Sequence, residues 1–138
     1  MNLLVIDGQG GQLGSSIIKS VISCFPDIMI TAVGTNANAT AAMVKAGAKK
    51  AATGENPVVV AAKKADIIIG PIGIVIADSM LGEITPEMAK AAGQSSAVKI
   101  LIPVNRCENI VAGVKDIPTG QLIEDALNKL ESVLEKMS

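Results

Sequence analysis

The sequence predicts a Rossmann-like, doubly wound α/β chain: a mainly parallel sheet of about five or six strands in a three-layer arrangement with helices on both sides. Three observations predict it. Short apolar runs alternate with helical stretches along the chain. The runs are apolar throughout rather than at every second position, as strands covered on both faces must be. The first of them ends in Asp7 and a turn carrying four glycines, Gly8, Gly10, Gly11 and Gly14, before a helical stripe begins.

The elements follow in order. "NLLVID" is a buried strand. Leu13, Ile17, Ile18, Val21 and Ile22 form a helical stripe that stops before Pro26. Ile28 to Val33 is a second strand. An alanine-rich helix follows, capped by Asn36 or Asn38 and closed by Gly47. A weak third strand is placed near Lys50 to Ala52. Asn56-Pro57 opens a helix to Lys64, with proline at its first position. "ADIIIG" is a fourth strand, and "IGIVIADSMLG" reads as a short apolar helix starting near Gly73. Thr85-Pro86 opens another helix, ended by Gly93. "VKILIPV" is a fifth strand and "NIVAGVK", Asn109 to Lys115, a sixth. Only about seven residues link these two, too few for a usual parallel crossover helix. The sixth is therefore antiparallel or lies at the edge. The last helix runs from Thr119 to about Lys136, with Leu122, Ile123, Ala126, Leu127, Leu130, Val133 and Leu134 on one face.

With 138 residues the chain fits one domain, 1–138. No apolar run approaches the roughly 20 residues of a membrane span, and the N-terminus shows no basic leader, so a cytoplasmic protein with no membrane partner is expected. The net charge is −1, no basic stripe is present, and Phe25 is the only aromatic residue. That argues against a nucleic-acid partner. Histidine is missing altogether, which removes His-based triads, His metal sites and the usual general base near neutral pH. Cys24 and Cys107 stand far apart and form no metal-ligand pair, so no metal site is expected.

The glycine turn carries the functional reading. It lies between a strand and a helix, the context in which such turns hold phosphates. Gly8, Gly11 and Gly14 give G-x-x-G-x-x-G, and Gly8, Gly10 and Gly14 a stretched G-x-G-x-x-G. Gly8, Gln9, Gly10, Gly11, Gln12, Leu13 and Gly14 would cradle the phosphates, and the helix N-terminus would add free amides and partial positive charge. The alternative is a tight turn with no ligand. A Walker loop fits worse, because Ser15 stands where its lysine belongs. A typical NAD site also has an acid at the end of the second strand. Here that end reads Gly34-Thr35-Asn36. Thr35 and Asn36 could bond a ribose, or serve only as a helix cap. The ligand expected on such a turn is therefore NAD, NADP, a mononucleotide or something smaller.

Three further segments should converge at the carboxyl ends of the strands. Gly70, Pro71, Ile72 and Gly73 would line the far half of a dinucleotide site, or merely make a tight loop. Asp78 interrupts an apolar run, and either is a functional carboxylate, faces solvent or pairs across an interface. Asn105 and Arg106 would close the site. Arg106 is a candidate for a charge-assisted phosphate contact, and Cys107 is the one nucleophile near it. The dense apolar segment around Ile74 to Leu81 and the stripe of the last helix predict a homodimer or higher homo-oligomer.

The stretches "VIDGQGGQLGSSI", "AVGTNANATAAMVKAGA", "ATGENPVV", "ADIIIGPIGIVIADSMLGEITPEMA" and "ILIPVNRCEN" together resemble a family of small bacterial proteins, common in anaerobic Firmicutes, known as a domain of unknown function. The resemblance covers nearly the whole chain. It implies the fold and the cytoplasmic setting and brings no catalytic residues. Members often end the turn in a Gly-Lys-Thr-like triplet, from which Gly14-Ser15-Ser16 departs. "GQGGQLG" is also similar to the opening of dehydrorhamnose reductases over about a dozen residues. Those enzymes rely on a Tyr and Lys pair, and this chain has no Tyr. The leading expectation is a nucleotide-binding or regulatory module. The competing ones are a small NAD(P)-dependent oxidoreductase with its site between subunits, using Asp78, Arg106 and Cys107, and a structural subunit with an empty turn.

Overall fold

The computed structural model describes residues 1–104 and 108–138. Five strands, β1 (Asn2–Asp7), β2 (Met29–Gly34), β3 (Lys50–Thr53), β4 (Ile67–Pro71) and β5 (Val98–Ile102), form one sheet in the order β3-β2-β1-β4-β5. Every pairing is parallel. The helices are α1 (Gln12–Cys24), α2 (Ala37–Lys45), α3 (Glu55–Lys64), α4 (Pro86–Gln94) and α5 (Thr119–Met137). The chain steps from β1 outward to β3, then returns to the other side of β1. The strand order reverses between β1 and β4, which makes their carboxyl ends the switch point of the sheet.

Two apolar cores explain why the central strands are apolar at every position. Leu3 and Val5 of β1 and Ile67 and Ile69 of β4 face a core shared with α1, α2 and α5. Leu4, Ile6 and Ile68 point the other way, into a core shared with α3 and α4. Each strand residue thus buries its side chain on one face or the other, at roughly 1.5–3 kcal/mol for a large aliphatic group. The stripe of α5 is spent inside the chain: Ala126, Leu127 and Leu130 are buried against the first core.

The sequence reading needs three corrections. The segment 109–115 forms no strand; Ile110 is 94% exposed, Gly113 turns at a φ of +83°, and the run buries too little to hold an edge position. The helix expected near Gly73 is a single 3-10 turn, Ile72–Val75. Beyond it Asp78, Met80 and Leu81 take left-handed φ values of 65°, 55° and 56°, which no helix permits. Third, α3 starts at Glu55 with Gly54 as its cap, so Asn56 lies inside the helix and Pro57 sits third, where its missing N–H still removes no helical bond. Asn36 caps α2, accepting from the Ala39 amide at 2.9 Å, and Thr85 caps α4 with Pro86 behind it.

Candidate functional site

At the end of β1 the chain turns sharply through Gly8 to Gly11, where the Gly11 amide donates to the Gly8 carbonyl at 2.9 Å. Gly11 has a φ of +72°, and a Cβ there would lie 2.7 Å from the Ala39 carbonyl oxygen. Only glycine fits both demands. A Cβ on Gly14 would stand 2.6 Å from Met43 Sδ and 3.0 Å from Asp7 Cβ, so this glycine lets α1 lie close on β1 and α2. Gly10 differs: nothing lies within 4 Å of its Cβ position. The turn is thus closely packed beneath and open above. The first-turn amides of α1 at Gln12 and Leu13 meet no acceptor among the described residues.

Two carboxylates flank this turn. Asp7 is buried at 5% exposure, and its two oxygens accept from the Gly8 amide at 2.8 Å and the Gly14 amide at 2.7 Å. Burial pushes its carboxyl above the ordinary aspartate value; the Gly14 and Gly8 amides counter this only in part, and the charge of Glu83 adds to the rise. Glu83 reaches in from the loop between the 3-10 turn and α4. Its Oε1 accepts from the Gln9 amide at 2.8 Å, the Thr35 hydroxyl at 2.6 Å and the Asn36 side-chain amide at 2.9 Å. Desolvation alone would raise its carboxyl, but the bonds from Thr35, Gln9 and Asn36 outweigh it and hold Glu83 below the ordinary glutamate value.

The loop that carries Glu83 is closely made. The Asp78 amide donates to the Ile84 carbonyl at 2.7 Å, the Ile84 amide to the Ser79 carbonyl at 3.2 Å, and the Ser79 hydroxyl to the Gly73 carbonyl. Met80, 2% exposed, and Ile84, fully buried, anchor it to the second core. Met80 also spans the switch point. Its Sδ lies 2.9 Å from the Cβ position of Gly8 and its Cε 3.4 Å from that of Gly73. The Met80 side chain thus stands between Gly8 and Gly73, just beyond the ends of β1 and β4.

Of the residues singled out in the sequence, the structure brings Gly8 to Gly14, Thr35 and Asn36 together. The last two are engaged by Glu83, and Asn36 also donates to the Gln9 carbonyl at 3.0 Å. Gly70, Pro71 and Gly73 are buried, Gly70 against the Ile6 carbonyl and Ile74, and Gly73 against Ser79 and Met80. Ile72 is half-buried and Asp78 exposed. Asn105, Arg106 and Cys107 lie outside the described residues. Among the described residues no group of three or more His, Cys, Asp or Glu side chains could hold a metal ion, and no helix is long and apolar enough to cross a membrane.

Sequence reasoning missed Asp7 and Glu83 as parts of the site. Asp7 carried a signal, being an acid that ends a run otherwise wholly apolar. Glu83 carried none, since its approach to Thr35 depends on a loop whose path the sequence does not specify.

Together these features define a Rossmann-like α/β protein with a glycine turn between β1 and α1. The chain belongs to the DUF3842 family, a domain of unknown function, which it matches over residues 2–135. No curated protein matches it. Among solved structures it is similar to the crystal structure of a dodecameric FMN-dependent UbiX-like decarboxylase from Escherichia coli O157:H7. The identity is 15% and the TM-score 0.46, over 95% of this chain and 76% of that one. At that distance the likeness assigns this chain no ligand and no chemistry.

Proposed function

We propose that the chain is a cytoplasmic nucleotide-binding module of one domain that holds a mononucleotide at the carboxyl ends of β1 and β2. The observation that carries this is the turn itself. It is closed beneath by Gly11 and Gly14, open above Gly10, and followed by the unoccupied amides of Gln12 and Leu13 at the positive end of α1. A phosphate above Gly10 meets two free donors there. The nucleoside extends toward Thr35, Asn36 and Glu83.

A mononucleotide is favoured over NAD or NADP by Met80. The second half of a dinucleotide would cross the switch point toward β4, and that space is taken by Met80 over buried Gly73. The test is thermal shift and native mass spectrometry with the ribonucleoside monophosphates, FMN, NAD and NADP, on wild type and Gly10→Asp. Gly10 has free space for a side chain, so the variant folds and places a carboxylate where the phosphate would rest. Mononucleotide binding lost in Gly10→Asp is the expected result. No binding by wild type at millimolar ligand, or binding unchanged in the variant, overturns the reading.

A further inference from the structure

The end of β2 lacks the acid that commonly holds a ribose there, since it reads Gly34-Thr35-Asn36. In three dimensions a carboxylate stands at that place nonetheless, delivered by Glu83 from the far side of the sheet. Its anchoring is one-sided. The Gln9 amide, the Thr35 hydroxyl and the Asn36 amide all donate to Oε1. Oε2 receives no donor among the described residues, and no buried side-chain oxygen there is left unpartnered, so Oε2 is open to solvent. One oxygen is fixed from three directions, by the glycine turn, by the end of β2 and by the cap of α2. The other is a pure acceptor held at the mouth of the turn.

We infer that Glu83 is the ribose-recognition residue of the site, its Oε2 accepting the 2′ and 3′ hydroxyls of a bound ribonucleotide. The inference rests on the nucleotide-binding reading above. An ionised carboxylate accepts from both hydroxyls and offers no donor in return. The site therefore selects ribonucleotides with free 2′ and 3′ hydroxyls. It disfavours 2′-deoxy forms, which leave a fixed acceptor unmatched, and 2′-phosphorylated forms, which bring like charge against Glu83. The loop's own hydrogen bonds and its Met80 and Ile84 anchors hold the carboxylate in place before any ligand arrives. Three of its residues, Asp78, Met80 and Leu81, are kept in left-handed conformations, a strain that tends to gather at functional positions.

The experiment is calorimetric titration of wild type and Glu83→Gln with the four ribonucleoside monophosphates and their 2′-deoxy counterparts. Circular dichroism and a melting curve check that the variant folds. Wild type is expected to bind its preferred ribonucleotide ~10-fold or more tightly than the deoxy form, and Glu83→Gln to reduce that preference to within ~3-fold. Should Glu83→Gln not fold, the ribo-to-deoxy ratio of wild type decides by itself. Equal binding of both sugars by wild type overturns the inference and leaves the nucleotide reading standing. Tighter binding in Glu83→Gln also overturns it, because Glu83 would then be occupying the ligand's place. No binding of any nucleotide by wild type overturns both.

Discussion

Asp7 and Glu83 face the same turn and are shifted in opposite directions, which gives each a separate signature. The Asp7 carboxyl is raised in the folded chain. The folded state therefore keeps a proton that the unfolded chain has released, and this stabilisation is full at acid pH and lost as pH rises through the folded value. The Glu83 carboxyl is lowered. Its contribution is present above the unfolded value and lost as pH falls through the folded one. Urea midpoints measured from about pH 3 to about pH 8 should lose their acid-side decline in Glu83→Gln and their decline toward neutral pH in Asp7→Asn. Identical profiles for all three proteins would mean that neither group is held as described. Gly11→Ala should cost about 1–3 kcal/mol from its left-handed backbone alone, with the Ala39 contact adding to it, whereas Gly10→Ala should stay within about 0.5 kcal/mol. Equal midpoints for the two variants would contradict this division of the glycines.

Among the elements, the caps and the loop before α4 set the site. Asn36 begins α2 with its side-chain oxygen and steadies Glu83 and Gln9 with its side-chain nitrogen. Asn36→Asp keeps the cap but places a second carboxylate beside Glu83. It should lower the melting temperature at neutral pH, with the loss shrinking as the solution is acidified; a loss independent of pH would show that no repulsion is involved. Met80 ties the loop to both β1 and β4. Met80→Ala should destabilise by about 2–5 kcal/mol as a core truncation does. A change under about 1 kcal/mol would mean that the switch point is not packed as found.

For the whole molecule, the structure moves the grounds for self-association. Of the apolar segment from Ile74 to Leu81 and the stripe of α5, which suggested a shared surface, most is consumed by the chain's own two cores, while Leu81 stays 96% exposed. Among the described residues, one groove of about 450 Å³ lies between α3 and the outer part of the sheet, lined by Leu4, Val33, Ala52, Pro57, Val60 and Ala61 together with Lys50, Asn56 and Lys64. The expected homodimer is tested by sedimentation equilibrium on wild type and Val60→Lys. A wild-type dimer that dissociates in Val60→Lys would place the interface at this groove, and a wild-type monomer would remove the expectation.

The alternation of strands and helices, the continuous apolar strands and the Asn36 and Thr85 caps were legible because each depends on neighbours a few residues away. The need for glycine at Gly11 and Gly14 was legible for the same reason: it follows from a sharp turn into a closely packed helix. The expected sixth strand failed because apolar residues form a strand only if something covers them, and nothing covers Ile110. The sequence by itself therefore determined the layered fold and the position of the turn, which arise from local periodicity and backbone sterics. The tertiary structure alone decided that Met80 fills the switch point and that Glu83 supplies the carboxylate missing from β2. Both depend on contacts between residues far apart in sequence, such as Thr35 and Glu83 at 48 positions and Gln9 and Glu83 at 74, and no local rule encodes where such a loop will land.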